Sequence, residues 1–233
     1  MILEICANGY ESAKIAKEAG AHRIELCENL SVGGVTPSQE LIEKVLSKLQ
    51  IETHVLIRPR EGDFCYSEEE LEQMVSDITL CRNMGCAGIV SGVLTPNGDL
   101  NHVATRRLIE TAKGMEFTFH RAIDVSREPR QLLRETILMG VTRVLSSGTK
   151  AKATDGLSQL LEFQKIAKGQ IQIMPGGGIT HVNAALFKQS GFEMIHSSAT
   201  LKNSAIDSQD LMQSQSIGYS DHTEIKKILA ALA

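Results

Sequence analysis

Short runs of β-branched and aliphatic residues alternate along the chain with longer segments in which apolar residues recur every three or four positions. The short runs are typical of buried strands, and the longer segments are typical of helices with one apolar face. Eight strand–helix pairs follow one another within the 233 residues. The predicted strands cover residues 3–6, 23–27, 53–58, 88–93, 116–120, 143–146, 170–174 and 193–197, and the predicted helices cover residues 10–19, 39–49, 68–84, 102–113, 130–139, 157–167, 182–189 and 223–232.

The residue types at the ends of the predicted helices support this division. Ser67, followed by three glutamates, fits a helix cap, and Pro37 and Pro129 fall where a first helical turn accepts proline. Glycines at positions 20, 85, 140 and 191 fit helix ends. Eight nearly equal pairs without an insertion or a second domain favour a single (β/α)8 TIM barrel over residues 1–233, rather than a doubly wound open sheet.

One long segment interrupts the pattern. It covers residues 199–220, between the last predicted strand and the last predicted helix, and it is polar and rich in Ser, Asp and Gln. A segment of this kind is either a mobile lid or a surface loop.

Composition narrows the classes of protein to which the chain can belong. Hydrophobic residues make up 42% of it, but only 4% of residues are aromatic and there is no Trp, so aliphatic side chains must fill the core. The net charge is −4, with acidic and basic residues interspersed, which argues against nucleic acid or a membrane as a partner. No signal peptide and no apolar run of membrane-spanning length stands out, so we expect a cytoplasmic protein. Five cysteines without a Cys-x-x-Cys pair are expected to be reduced thiols.

The first two predicted strands carry the same motif at their carboxyl ends, where barrel enzymes build their sites. They end in Glu4-x-Cys6 and Glu25-x-Cys27. Alternation along a strand places each Glu and Cys on the lumen side and the residue between them on the helix side. Two thiols on neighbouring strands suit the binding of a soft ion such as Cu(I). Alternatively, Cys6 and Cys27 are small buried residues of the core and bind no ion.

The third predicted strand runs into a loop that contains Arg58, Arg60 and Asp63. Two guanidinium groups at this position suit the binding of a carboxylate or phosphate, and Asp63 belongs to the same candidate substrate site. Alternatively, the arginines brace the mouth of the barrel by pairing with acids such as Glu4 and Glu25.

The fifth predicted strand ends at His120, whose side chain alternation places in the lumen. A histidine there can act as a base, an acid or a ligand, or it can be a structural hydrogen-bonding group. We take Glu4, Glu25, Arg58 and His120 as the candidate catalytic residues.

The loops after the seventh and eighth strands form a candidate anion site. They contain Gly176, Gly177 and Gly178 after one strand, and His196 and Ser197 at the end of the other. Loops at these positions bind phosphate in many barrels through glycine amides, so we expect a phosphate or sulfate near the glycines and Ser197. Three glycines can equally serve only to make a tight turn.

These motifs, in this order, closely resemble those of the CutC family of copper homeostasis proteins. The matching segments are residues 4–6, 23–27, 33–38, 57–60, 62–64, 117–122, 174–180 and 196–199. The resemblance implies a cytoplasmic TIM barrel, usually oligomeric, that is associated with copper tolerance. It also implies that Cys6 and Cys27 bind Cu(I). The match is weakest after Ala199.

Two functions therefore stand side by side. In the first, the chain is a binding protein that holds Cu(I) between Cys6 and Cys27 for transfer or buffering. In the second, it is an enzyme that acts on a small anionic metabolite, such as a phosphorylated one, with no organic cofactor. The resemblance favours the first function. The second is favoured by the number of reactive groups predicted around one mouth, because a metal carrier does not need acids, a histidine, arginines and a glycine loop.

Overall fold

The structure is a computed structural model that describes residues 1–200 and 218–233. Strands and α-helices alternate along the described chain. The strands are β1 (Ile2–Asn8), β2 (Arg23–Cys27), β3 (Glu52–Leu56), β4 (Gly88–Ser91), β5 (Glu116–Phe119), β6 (Arg143–Ser146), β7 (Gln172–Pro175) and β8 (Met194–Ser197). The α-helices are α1 (Tyr10–Ala19), α2 (Gln39–Lys48), α3 (Glu68–Met84), α4 (His102–Thr111), α5 (Pro129–Leu138), α6 (Leu157–Ala167), α7 (Ala184–Gln189) and α8 (His222–Leu232).

The strands form one parallel sheet in the order β7-β6-β5-β4-β3-β2-β1-β8. A parallel bridge between Gly176 and His196 joins the two ends of this sheet, so the sheet closes on itself. Each strand is followed in the chain by a helix. The prediction of a (β/α)8 TIM barrel is confirmed, and the open doubly wound sheet is wrong.

Alternation along the strands separates two cores. Ile5 and Leu26 face outward and pack in the large apolar core between the sheet and the helices. Cys6 and Cys27 face the lumen, where they pack with one aliphatic side chain from each of β3 and β4. The predicted orientation of the two Glu-x-Cys strands is therefore confirmed.

Charged side chains fill the amino-terminal end of the lumen. Arg143, at the start of β6, is 2% exposed and donates hydrogen bonds to Glu116 at 2.5 Å and to Thr118 at 3.1 Å. Its Nη1 atom lies 3.4 Å from Nδ1 of His54. The His54 ring packs against Gly88, where a Cβ on that residue would clash with it. These contacts tie the charged groups at this end into a plug. In TIM barrels the amino-terminal end usually serves stability, whereas sites lie at the opposite end.

Several element boundaries differ from the predictions. β1 continues to Asn8, two residues beyond its predicted end, and β3 ends at Leu56, two residues before its predicted end. Hydrogen bonds to neighbouring strands, rather than local sequence, set these ends. As a result Glu4 is the third of seven residues in β1 and lies inside the barrel, not at its mouth.

The segment predicted as a lid or a surface loop, residues 199–220, lies for the most part outside the described residues, which resume at residue 218. Within the described ranges, no helix combines the length and the apolar character needed to cross a membrane.

Candidate metal centre

Cys6 and Cys27 form a buried pair of thiols on two neighbouring strands. The register pairs Cys6 with Glu25 and Asn8 with Cys27, so the two cysteines are diagonal neighbours on the lumen face. Their Sγ atoms lie 3.7 Å apart. Gly34 covers Cys27 from the β2–α2 loop, because a Cβ on Gly34 would lie 3.5 Å from this sulfur. The sulfurs are in direct contact, so a single ion can reach both of them.

His196 of β8 is held between two carboxylates. Its Nδ1 lies 2.8 Å from Oε1 of Glu4, and its Nε2 lies 3.3 Å from Oε2 of Glu25. Arg23, at the start of β2, donates from Nε to Oε2 of Glu4 at 2.5 Å. The register places Glu4 opposite both Arg23 and His196, which brings the three charged groups together across adjoining strands.

The buried charges shift one another's pKa values. Burial alone would raise the pKa of Glu4, but the hydrogen bond and charge of His196 and the charge of Arg23 hold it far below its usual range. Burial would also lower the pKa of His196, but the hydrogen bond to Glu4 and the charge of Glu25 raise it overall. At Glu25 burial dominates and raises the pKa to about 7. The site therefore combines a carboxylate that stays ionised with one that can exchange a proton near neutral pH.

Cys6 belongs to two groups of donor atoms. Its hydrogen bond with Cys27, followed by burial, raises the pKa of the Cys6 thiol well above its usual value. The second group also includes Glu25 and His196. Each of the three residues contributes one donor atom, and these three atoms lie within 4.8 Å of one another. A metal ion that binds Cys6 in either group must displace its proton, since the thiolate is the form that binds metal.

His120 lies at the end of β5, with its ring against those of Phe64 and Phe119. Its Nδ1 accepts a hydrogen bond from the backbone N–H of Ala122, so Nε2 carries the proton and has no partner among the described residues. Burial, together with the charge of Arg58, lowers the pKa of His120 to about 3. The ring is therefore neutral at pH 7 and can donate a hydrogen bond from Nε2, but it cannot act as an acid by losing a proton from an imidazolium.

The two arginines after β3 brace loops instead of facing Glu4 and Glu25. Arg58 donates from its guanidinium to the backbone oxygens of Val32, Gly34 and Gly62, which ties the β2–α2 loop to the β3–α3 loop. Arg60 is bonded to Asp63 at 3.0 Å and to Glu70 at the start of α3 at 2.6 Å. The bracing alternative describes both arginines, although their partners are not the acids we expected.

The glycine loop after β7 lies next to His196 and Arg121. Gly176 makes the bridge to His196, and the Arg121 Nη1 atom lies 3.6 Å from the position of a Cβ on Gly177. Gly177 and Gly178 have φ values of 110° and 69°, where glycine is favoured, so the loop also makes a tight turn.

The hydroxyl of Ser197 already has two backbone partners. Its hydroxyl donates to the backbone oxygen of Ile179 at 2.7 Å and accepts from the backbone N–H of Ala199 at 3.0 Å. The bond to Ile179 ties the β7 and β8 loops together, so Ser197 acts as a brace in the structure. An anion contact from its hydroxyl would require breaking at least one of the two bonds.

The structure brings Glu4, Glu25, His196 and the cysteine pair together, and it places His120 beside Arg58 in a second cluster. Arg60 and Asp63 form a third cluster at the start of α3. Arg23 is the charged residue that sequence reasoning missed. It lies two residues before Glu25 on the same strand, so alternation places it in the lumen. Sequence reasoning missed it because only residues at the carboxyl ends of strands were considered as site residues, and Arg23 lies at the amino end.

Comparisons with known proteins agree with this architecture. The model of the CutC family matches residues 1–201. A CutC family protein of Chromobacterium violaceum is 44% identical over 199 residues, which cover 85% of this chain and 81% of the relative. A CutC family protein of Pasteurella multocida is 44% identical over 197 residues, which cover 84% of this chain and 81% of the relative.

A solved structure from Streptococcus agalactiae has the same fold. It is described as a candidate copper homeostasis protein CutC, and it matches with a TM-score of 0.80 and 30% sequence identity. The match covers 85% of this chain and 98% of that one. Sequence and fold comparisons therefore lead to the same group of barrels.

Proposed function

This chain belongs to the CutC family, and from that premise we propose that it is a copper homeostasis protein that binds Cu(I) between the sulfurs of Cys6 and Cys27. The observation that carries the proposal is the 3.7 Å separation of the two Sγ atoms in the lumen. Soft thiolate ligands select Cu(I) over the hard cations of the cell.

The surroundings of the thiol pair suit a soft monovalent ion. Cys6 is 7% exposed and Cys27 is 0% exposed, and Leu56 and Val90 pack against them in the lumen. An apolar wall of this kind limits access by water and by oxidants. The ion is cargo in this proposal, and the barrel provides a protected site for buffering or transfer.

We also propose a cytoplasmic location and a homo-oligomeric state. Cu(I) binding by the pair requires reduced thiols, and the cytoplasm keeps thiols reduced. The oligomer rests on the family resemblance. Light scattering of the purified protein would overturn it if the mass were that of one 25.4 kDa chain at all concentrations.

An anaerobic titration with Cu(I) against a competing chelator tests the copper site. The wild type should bind one equivalent tightly, and Cys6→Ser and Cys27→Ser should each lose that equivalent, because a single thiolate forfeits half of the ligand set. Cys81→Ser is the matched control, since Cys81 is also a buried thiol but lies with Cys86 in the outer apolar core and not in the lumen. Equal losses in all three variants would mean that any thiol pair takes up the ion and would contradict the proposal.

A second function is favoured by one specific observation. Glu25 is a buried carboxylate whose pKa of about 7 suits a general acid or base, and it contacts His196, which forms the bridge to the glycine loop. This arrangement supports an enzyme acting on a small anionic metabolite held near Gly176, Gly177 and Gly178.

Phosphate is the simplest probe for this second function. If the glycine loop binds anions, inorganic phosphate should raise the melting temperature of the wild type in a concentration-dependent way. The variant Gly177→Val should lose the shift, because φ is 110° there and a side chain would strain the loop. An absence of any shift in the wild type, with an empty loop in phosphate-soaked crystals, would rule out the anion site.

A further inference from the structure

The lumen contains a second set of metal donors that shares only Cys6 with the proposed copper pair. We propose that Cys6, Glu25 and His196 form a three-donor site for a divalent ion of the zinc class. One donor atom from each residue lies within 4.8 Å of the other two, and Cys27 is not part of this group in the portion of the chain that the structure describes. The proposal goes beyond copper binding and does not require it.

The donor types fit zinc. Thiolate, imidazole and carboxylate are the three ligand classes that Zn²⁺ takes in proteins, at about 2.3 Å for sulfur and about 2.0–2.2 Å for nitrogen and oxygen. Cu(I), in contrast, prefers soft sulfur donors and gains little from a carboxylate. The set of one Cys, one His and one Glu is therefore matched to a borderline divalent ion.

The geometry also fits a tetrahedral ion. Two ligands on a tetrahedron are separated by about 1.6 bond lengths, so a nitrogen and an oxygen bound to zinc lie about 3.3–3.5 Å apart. The His196 Nε2 and Glu25 Oε2 atoms lie 3.3 Å apart. The Cys6 sulfur lies within 4.8 Å of the donor atoms of Glu25 and His196, and small side-chain adjustments can shorten these distances.

The outer contacts of His196 match those of a metal ligand. A histidine that binds a metal through one ring nitrogen usually donates its other N–H to a carboxylate, which fixes the ring and its tautomer. Glu4 occupies that position, 2.8 Å from Nδ1, and Arg23 fixes Glu4 in turn. This arrangement aims the Nε2 atom at Glu25, where the ion would lie.

Three protein ligands leave one position on a tetrahedral ion for water or a substrate, which is the arrangement of catalytic rather than structural zinc sites. The plug at the amino-terminal end of the lumen offers a useful contrast. Glu52, His54 and Glu116 also lie within 4.8 Å of one another there, but Arg23 and Arg143 already neutralise those acids. Two cations beside the donors disfavour a third positive charge, so we assign no ion to that end.

X-ray absorption on the zinc-loaded wild type tests the ligand set directly and needs no variant. The zinc edge should give one sulfur at about 2.3 Å together with nitrogen or oxygen ligands at about 2.0–2.2 Å. Two sulfurs per zinc would overturn the proposal, because they would place the ion on the thiol pair. A failure of the wild type to bind Zn²⁺ against a chelator of micromolar affinity would also overturn it.

Variants then separate this site from the copper site. His196→Gln and Glu25→Gln should weaken Zn²⁺ binding at least tenfold and leave the tight Cu(I) equivalent in place. Cys27→Ser should lose Cu(I) and keep Zn²⁺, whereas Cys6→Ser should lose both. Glu4→Gln, which removes the carboxylate behind the histidine, should weaken Zn²⁺ binding by about 10- to 100-fold. Circular dichroism of each variant confirms that it is folded.

The outcomes distinguish the two proposals. If Cu(I) fails to bind while Zn²⁺ binds with one sulfur, the copper function falls and the three-donor site stands. If Cys27→Ser weakens Zn²⁺ as much as Cys6→Ser does, or if His196→Gln binds zinc like the wild type, the three-donor site falls and the copper pair is unaffected.

Discussion

At the scale of single residues, ionised side chains survive inside the lumen because each has a partner on an adjoining strand. Glu4 is 0% exposed, and it keeps its charge because Arg23 and His196 occupy its two oxygens. An unpaired carboxylate at this depth would be neutralised or would cost several kcal/mol. The sequence predicts that Glu4 faces the lumen, from alternation alone. The sequence does not predict which basic side chains neutralise Glu4, because those contacts depend on the relative register of β1, β2 and β8.

His120 makes the acid stability of the protein testable. An unfolded histidine has a pKa of about 6.5, whereas burial and Arg58 lower the pKa of His120 to about 3 in the folded protein. Above pH 6.5 both states are neutral and His120 has no effect. Between pH 6.5 and pH 3 the unfolded chain binds a proton that the folded protein does not, so stability falls as the pH falls.

The measurement is urea unfolding at pH 7 and pH 5. His120→Asn removes the titrating ring and keeps an acceptor near the Ala122 N–H, so the loss of stability between these pH values should be smaller by about 2 kcal/mol than in the wild type. His222→Asn, at an exposed position in α8, is the control and should keep the wild-type pH profile. Identical profiles for wild type and His120→Asn would contradict this account of the ring.

At the scale of elements, helix boundaries were predicted better than strand boundaries. α1, α3 and α6 begin and end at the predicted residues. Their ends depend on signals carried by the local sequence, such as the glycines at positions 20 and 85, which adopt left-handed conformations. The ends of β1 and β3 depend on neighbouring strands that are distant in sequence, so local patterns miss them.

The start of α3 gives a prediction at this scale. Ser67 accepts a hydrogen bond from the N–H of Glu70, and the Glu70 side chain accepts one from the N–H of Ser67, which is a capping box. Ser67→Ala should lower the free energy of unfolding by about 1 kcal/mol. Ser38→Ala is the matched control, because Ser38 precedes α2 without any hydrogen bond from its side chain. Equal losses in the two variants, measured by chemical denaturation, would contradict the capping account.

At the scale of the whole molecule, the barrel places the charged plug and the candidate metal centre at successive levels of one lumen. The charged plug around Arg143 closes the amino-terminal end, and the thiol pair and His196 lie in the lumen beyond it. Equal strand–helix spacing was sufficient to predict the barrel, and alternation was sufficient to predict that Cys6 and Cys27 share a face. The separation of Arg58 and Arg60 from that face could not be predicted, because loop carbonyls and Glu70 compete for them.

The most direct test of copper binding is a crystal structure of the protein loaded anaerobically with one equivalent of Cu(I), with anomalous data collected on both sides of the copper edge. We expect a single copper peak within bonding distance of the sulfurs of Cys6 and Cys27. The claim that the thiol pair is the copper site would be contradicted by a peak beside Cys81 and Cys86 or by a peak at the protein surface. It would also be contradicted if the lumen held no copper peak.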